Sequence, residues 1–194
     1  MKVSLGVRSL PDYSSSAASS ATVASSLAIA SDVYNRLMGT VTPNDAMAAW
    51  WRDPGFLLAL AAALPVWGLL WWLGGQARPD PLWPLHAQGV VLRGVLLYPF
   101  VEEWLFRGSL QPWIGRRLPG QWAGISLANV IVSLLFALLH LLGHPPFAAM
   151  AVFIPSLVFG WLRDRHGSFL PAFAMHAWYN LGYFWTTSGM QGVI

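Results

Sequence analysis

The sequence predicts an all-α membrane protein, a polytopic bundle of about five transmembrane helices. Of its 194 residues, 56% are apolar and only 10% are charged, and the mean hydropathy is +0.51. These values are untypical of a soluble globular domain. The charges are also unevenly placed, because none lies between Arg117 and Arg163 or after Arg165. Lipid is the solvent that suits such a composition.

The charge pattern and the missing cysteines exclude several functions. The formal net charge of +3 rests on ten arginines and one lysine, and most of the arginines border apolar runs instead of forming a cluster. This placement indicates membrane orientation and argues against a nucleic-acid partner. The chain has no cysteine, which excludes disulfides, thiolate nucleophiles and cysteine metal sites.

The chain divides into two predicted regions. Residues 1–53 are predicted to form a polar, low-complexity arm and an interfacial connector, since they begin with serine-rich sequence and end near Trp50 and Trp51. Tryptophan suits the headgroup layer. Residues 54–194 are predicted to form the transmembrane domain, with no span before residue 54.

Five apolar stretches account for the predicted spans, and each approaches the roughly 20 residues that a helix needs to cross the hydrocarbon. Pro99 and Pro112 interrupt the second stretch. The stretches cover residues 55–73, 86–113, 122–142, 146–162 and 168–187.

Five spans place the two termini on opposite sides of the membrane. Five arginines outside the spans then fall on the side of the amino terminus: Arg52, Arg116, Arg117, Arg163 and Arg165. Arg78 alone lies in the loops on the opposite side. The positive-inside rule therefore predicts a multi-pass protein of the cell (inner) membrane with a cytoplasmic amino terminus.

The two glutamates of the chain stand side by side in the apolar run "LLYPFVEEWLFRG". A charge at the bilayer centre costs roughly 2.5–3.5 kcal/mol on insertion scales, so the pair needs compensation. Glu103 and Arg107 are at i and i+4 on a helix, the favourable order for an ion pair. Glu102 points about 100° away and shares its face with Phe106, which makes it the candidate base. Alternatively, both glutamates serve helix packing or lie at the membrane edge.

The third predicted span carries one polar face. Asn129, Ser133 and His140 fall close together on the helical wheel, so this face is expected to look into the bundle. Alternatively, His140 is a buried histidine with a structural hydrogen bond. His144 follows Gly143 and is predicted to be a loop residue.

The fifth predicted span repeats this pattern. His176, Asn180, Tyr183 and Thr187 share one face, and His176 and Asn180 stand at i and i+4. Two such donors can stabilise an oxyanion in a dry site. The alternative is hydrogen bonding between helices, which these residue types also provide in membranes.

Together the three spans supply a base, a histidine and two donors, which indicates a hydrolytic site. The rival interpretation is a non-catalytic membrane scaffold, or a helical module that conducts protons or solutes. Transporters often contain internal repeats, and the sequence shows none.

Three ordered motifs carry a family resemblance: "EEWLFR" at 102–107, "FALLH" at 136–140 and "HAWYN" at 176–180. They match the EExxxR, FxxxH and HxxxN motifs of the CPBP family of intramembrane proteases, which includes the CAAX prenyl endopeptidases of Rce1 type and bacterial Abi-type proteins. The resemblance covers roughly residues 88–187. It implies a CPBP-like helical core and a glutamate-dependent intramembrane endopeptidase.

The resemblance also implies residue roles. Glu102 and His140 would activate the attacking water, and His176 and Asn180 would form the oxyanion hole. The implied partners are membrane lipids and a substrate that is a membrane protein or a lipid-anchored peptide. Prenylated substrates do not follow from the motifs, because the chain has fewer predicted spans than enzymes of Rce1 type.

Glu103 and Arg107 would support the site in this family, and no cofactor is expected. A zinc ion held by Glu102, His140 and His176 is the chemical alternative. It is disfavoured because Arg107 is near and the chain contains no HExxH motif.

Overall fold

A computed structural model describes residues 49–73 and 80–187, all within one compact unit, Pro43–Ile194. The predicted arm at 1–48, the loop at 74–79 with Arg78, and the terminal residues 188–194 lie outside the described residues. The predicted boundary between residues 53 and 54 therefore stays a prediction.

The described chain is helical apart from one short hairpin, which confirms the all-α class. A 3₁₀ turn at Trp50–Arg52 precedes the first helix. The hairpin strands are β1 (Gln121–Trp122) and β2 (Ile125–Ser126). The helical elements in chain order are α1 (Pro54–Leu73), α2 (Trp83–His86), α3 (Gln88–Val90), π1 (Val91–Leu97), α4 (Tyr98–Glu103), π2 (Trp104–Leu110), α5 (Gln111–Gly115), α6 (Leu127–His140), α7 (Pro146–Ala151), α8 (Phe153–His166) and α9 (Leu170–Thr187).

Within the described residues, two helical stretches are long and apolar enough to cross a membrane. They are Pro54–Leu73, with 20 residues, and Pro146–His166, with 21 residues, which combines α7 and α8. Helix α6 is equally apolar in character but has only 14 residues. The predicted number of five spans is therefore not confirmed.

Helix α1 has the surface expected of a helix in lipid. Apolar residues surround it, and only Phe56 and Ala63 are buried, while Leu58 is 71% exposed. A helix that is apolar on all sides and largely uncovered by protein suits the hydrocarbon.

The predicted second span is a continuous helical run from Gln88 to Gly115 that alternates between α and π geometry. Pro99 and Pro112 lie just after the two π segments, and each lacks the backbone N–H that would donate the next helical hydrogen bond. With the i→i+5 bonding of a π-helix, the carbonyls left without a donor are those of Gly94 and Arg107.

Side chains from other helices donate hydrogen bonds to both of these carbonyls. Asn180 Nδ2 donates to the Gly94 carbonyl at 2.8 Å, and Arg163 Nε donates to the Arg107 carbonyl at 3.1 Å. The two prolines thus create the acceptors that hold α9 and α8 against the 88–115 run.

The third predicted span was wrong over residues 122–126. Ala123 and Gly124 both have positive φ, 49° and 82°, as a two-residue hairpin turn of type I′ requires. The turn pairs Gln121 with Ser126. Helix α6 begins only afterwards, where Ser126 Oγ accepts a hydrogen bond from the Asn129 N–H at 3.0 Å as a helix cap.

The fourth predicted span contains a break and extends further than predicted. Val152 separates α7 from α8, since Pro155 has no N–H for the carbonyl of Ala151 four residues earlier. Helix α8 then continues to His166 and ends at Gly167, which is left-handed at φ 67°. The fifth stretch is helical as predicted and forms α9, but it is not one of the two described stretches that are long and apolar enough to cross a membrane.

Helix α8 is the centre of the packing. It lies between α6 and α9, and α9 also packs on α1. Gly160 on α8 allows a close approach to α6, because a Cβ at this position would overlap the Asn129 amide of α6. That amide also donates to the Leu157 carbonyl at 2.9 Å. Small residues allow this kind of close contact between membrane helices.

The beginning of α1 is tied to the end of α8. Arg165 Nη2 lies 2.7 Å from Asp53 Oδ2, and Asp53 Oδ1 accepts the Phe56 N–H at 3.0 Å. Burial by itself would raise the pKa of Asp53, but the Arg165 side chain and the Phe56 N–H outweigh burial and hold this pKa below its ordinary value. The aspartate therefore stabilises the fold in its charged form.

Gly160→Ala is expected to lower the free energy of unfolding by roughly 1–3 kcal/mol, because the added methyl group overpacks a close helix contact. The measurement is thermal unfolding of the purified protein in detergent. The control is Gly68→Ala on α1, where an added Cβ meets nothing within 4 Å. Equal stability of Gly160→Ala and wild type would contradict the proposed close packing.

Asp53→Asn is expected to cost about 1 kcal/mol at neutral pH, since it removes a partly buried ion pair while asparagine keeps the helix cap. A group with a lowered folded pKa stabilises above its unfolded pKa, about 3.9 for aspartate. This stability is lost as the pH falls through the folded pKa. The stability advantage of the wild type should therefore shrink as the pH falls below about 5 and vanish below the lowered pKa of Asp53. A difference as large at pH 3 as at pH 7 would refute this account.

Candidate active site

Arg107 is a fully buried cation at the centre of the site. Its Nη1 donates to Glu103 Oε1 at 3.2 Å, and both side chains have no exposed surface. Its Nη2 donates to the Ser156 carbonyl at 3.1 Å and also to Ser156 Oγ. The ion pair that the i, i+4 spacing predicted is present, and Ser156 on α8 joins it.

Three phenyl rings from three different elements surround the Arg107 guanidinium. Its Cζ lies 4.8 Å from the ring centroid of Phe136, 5.7 Å from that of Phe159 and 5.8 Å from that of Phe106. Cations within about 6 Å of an aromatic face are attracted to it, and more strongly where water is excluded. The cage thus stabilises the buried charge together with Glu103.

Glu103 holds His176 as well as Arg107. His176 Nδ1 lies 2.8 Å from Glu103 Oε1, the oxygen that also accepts from Arg107. The His176 ring stacks on Phe159, with centroids 4.7 Å apart and an angle of 17°. A hydrogen bond and a stacked ring together fix the orientation of this imidazole.

Glu102 has different surroundings from its neighbour. Its side chain is 35% exposed, against 0% for Glu103, and it lines a cavity of about 280 Å³ together with His140. His176 Nε2 lies 3.8 Å from Glu102 Oε2, which is too long for a direct hydrogen bond. The structure thus brings Glu102 and His140 to one cavity, although they come from the end of α4 and the last residue of α6.

His140 has one nitrogen committed to the backbone. Its Nδ1 lies 2.9 Å from the Phe136 carbonyl oxygen, which can only accept, so Nδ1 carries the proton. In the neutral ring the lone pair is then on Nε2. This tautomer allows Nε2 to act as a base.

Other predicted polar residues do not line this cavity. Ser133 Oγ donates to Asn129 Oδ1 at 3.0 Å, and both side chains are buried in the contact between α6 and α8. For these two residues the structure shows hydrogen bonding within and between helices. One N–H of the Asn180 amide is used on the Gly94 carbonyl, so its oxyanion role stays a prediction.

Sequence reasoning missed several residues of the site. His144 lines the cavity and stacks on His140, with centroids 5.6 Å apart. Ser156 and Phe159 contact Arg107 and His176 from α8, which had no assigned role. Gln111, 1% exposed, lies outside the cavity but continues the buried face of Glu103 and Arg107, and this i, i+4, i+8 spacing was the signal that could have identified it.

The donors of the site do not suit a metal ion. Within residues 49–73 and 80–187, no three His, Asp or Glu side chains come together as metal ligands. The Arg107 cation lies in the same cluster and binds the Glu103 oxygen that contacts His176. The zinc alternative of Glu102, His140 and His176 therefore does not fit these residues.

Glu103→Gln is expected to lower the free energy of unfolding by roughly 3–5 kcal/mol, because it leaves the Arg107 cation buried without a counter-charge. The double variant Glu103→Gln/Arg107→Met should recover much of this loss. A double-mutant cycle measured by unfolding in detergent tests the coupling. Asp80→Asn, at an exposed carboxylate, is the control, and strictly additive costs of the two changes would rule out the coupling.

Comparison with known proteins identifies the family of the chain. The family model described as type II CAAX prenyl endopeptidase Rce1-like matches residues 83–182, slightly more than half of the chain. All three motifs lie within the matched residues. No curated protein and no solved structure matches the chain. The chain therefore belongs to the Rce1-like family of the CPBP proteases, which implies a membrane protein that hydrolyses peptide bonds.

Proposed function

We propose that this protein is a glutamate-dependent intramembrane endopeptidase that cleaves a membrane-associated protein or peptide without a cofactor. The observation that carries the proposal is the single cavity lined by the half-exposed Glu102 and by His140. A carboxylate and an imidazole on one water-accessible space are the groups that general acid–base catalysis of hydrolysis needs.

The first step is the activation of water. A water molecule between Glu102 and His140 Nε2 gives up a proton to this pair as its oxygen attacks the scissile carbonyl. The hydrogen bond from His140 Nδ1 to Phe136 keeps the accepting nitrogen turned away from the backbone. The same pair then returns the proton to the departing amine, so that the peptide bond breaks and the enzyme is regenerated.

The second requirement is a donor for the oxyanion. His176 Nδ1 faces Glu103, and its Nε2 lies 3.8 Å from Glu102 Oε2. As an oxyanion donor His176 would use a proton on Nε2, with the substrate oxygen beside this pair of atoms. The second N–H of Asn180 is the other proposed donor.

The lining of the cavity supports a substrate class, and the arginine distribution supports an orientation. Apolar side chains of Phe106, Phe136 and Leu139 form the other cavity walls, which suits a peptide segment in or at the membrane. We propose a membrane protein or a lipid-anchored peptide as the substrate. The proposed enzyme is a multi-pass protein of the cell (inner) membrane with a cytoplasmic amino terminus, as the arginine distribution indicates.

Glu102→Gln and His140→Gln are each expected to lower the rate of peptide cleavage by roughly 10²–10⁴-fold, the usual contribution of a general acid or base. Membrane insertion and thermal unfolding should stay close to wild type, since neither side chain is fully buried. Cleavage is measured with purified protein in liposomes, by mass spectrometry of a reconstituted membrane peptide. His86→Gln, an exposed histidine paired with Asp80, is the control.

Retained cleavage in Glu102→Gln would end the proposal. Proton or solute flux through liposomes that stops in Glu102→Gln, with no cleavage of any peptide, would instead support the conducting module.

A further inference from the structure

A second cavity, of about 360 Å³, lies at the opposite end of α6 from the catalytic cavity. It is lined at the end of α5, the beginning of α6 and the end of α8. Ala128 lines this cavity and His140 lines the catalytic one. The 1.5 Å rise per residue places these two residues about 18 Å apart along the helix. This cavity therefore does not belong to the proposed catalytic site.

The second cavity carries an excess of positive charge. Arg116, Arg163 and Asp164 are its charged lining residues. Asp164 accepts one hydrogen bond at each oxygen, from Gln111 Nε2 at 2.8 Å and from Ser126 Oγ at 2.6 Å, and each oxygen keeps a lone pair for a further donor. Arg116 is exposed and has no acceptor among the residues that the structure describes, so its guanidinium is available to an anion.

Two further features of the cavity favour an anion at this position. Arg163 Nε donates a hydrogen bond to the Arg107 carbonyl, and Nη1 lies 3.8 Å from Asp164 Oδ1. Arg163 Nη2 has no acceptor in the described part of the chain. The amino-terminal end of the 14-residue helix α6 opens on the same cavity, and the helix dipole favours negative charge at that end.

Gln111 adds a requirement for a hydrogen-bond donor. Its Nε2 donates to the Gly160 carbonyl at 2.9 Å and to Asp164, while its buried Oε1 has no donor in the described structure. A buried acceptor without a donor is costly. A ligand that brings a hydroxyl or an ammonium group into this cavity would remove that cost.

The residues next to Arg116 in the sequence add exposed surface that suits acyl chains. Trp113 and Leu118, on either side of Arg116 in the sequence, are each 48% exposed. Tryptophan beside arginine is typical of the membrane–water interface. A phosphate attached to a lipid can therefore reach Arg116 while its chains stay in the hydrocarbon, whereas a free phosphate gains nothing from these apolar neighbours.

We propose that this cavity binds the headgroup of a phospholipid whose phosphate is followed by a hydrogen-bond donor, such as phosphatidylethanolamine or phosphatidylglycerol. Arg116 and Arg163 bind the phosphate. The ammonium or hydroxyl group of the headgroup faces the Gln111 carbonyl and Asp164. Phosphatidylcholine has the phosphate but no such donor, so it binds more weakly.

The experiment is native mass spectrometry of the purified full chain in detergent, titrated with phosphatidylethanolamine, phosphatidylglycerol or phosphatidylcholine. Arg116→Gln should weaken binding of the first two lipids roughly fivefold or more, the effect of one basic residue near a lipid surface. Arg117→Gln is the matched control, because Arg117 instead stacks on Trp113 with its Cζ 3.9 Å from the ring centroid. This control should bind as wild type does.

Unchanged lipid binding by Arg116→Gln, or an equal loss in Arg117→Gln, would overturn the proposal. Equal binding of phosphatidylcholine would overturn the role of the donor group, and full displacement of lipid by inorganic phosphate would show that the site takes phosphate itself. Because the readout is binding, the outcome is independent of whether Glu102 is catalytic.

Discussion

The buried Arg107 cation is the constraint on which the rest of the bundle depends. An unpaired charge in an apolar interior is expensive, so the fold must bring neutralising and hydrogen-bonding groups to one point. Glu103 comes from the same helical run, Ser156 from α8, and the caging rings from π2, α6 and α8. Glu103 also binds His176 on α9. One charge thereby fixes the relative positions of the helices that surround the Glu102 cavity.

Two prolines provide a second set of contacts between the helices. Pro99 and Pro112 interrupt the α-helical ladder at the two π segments, and the carbonyls left open are bound by Asn180 and Arg163. These hydrogen bonds join helices within the membrane, where the hydrophobic effect does not favour contact between helices over contact with lipid. π segments are frequent at functional sites, and here π2 contains the arginine of the first motif.

The sequence was sufficient for the class of fold and for the Glu103–Arg107 pair, because i, i+4 spacing is a local property, and of the predicted catalytic residues Glu102 and His140 line the cavity. The Glu103–Arg107 pair and the shared face of Glu102 needed only helix geometry. Partners from distant helices could not be derived in this way. The contact between Asn180 and Gly94 depends on a π register that hydropathy does not reveal. Hydropathy does not reveal the turn at Ala123, because apolar residues flank it. Composition alone therefore could not distinguish the hairpin from the beginning of α6.

The catalytic cavity limits the conformation of any substrate. Glu102 is reached through this cavity, whereas each carbonyl oxygen inside an α-helix is already bound to the N–H four residues ahead and is not free to become an oxyanion. Under the proposed function, a helical segment cannot bring an intact turn to Glu102. It must unwind locally and expose its own amide groups before the attack. Polypeptides with glycine, proline or a frayed end near the cut would therefore be cleaved fastest, because they lose the least helical hydrogen bonding on entry.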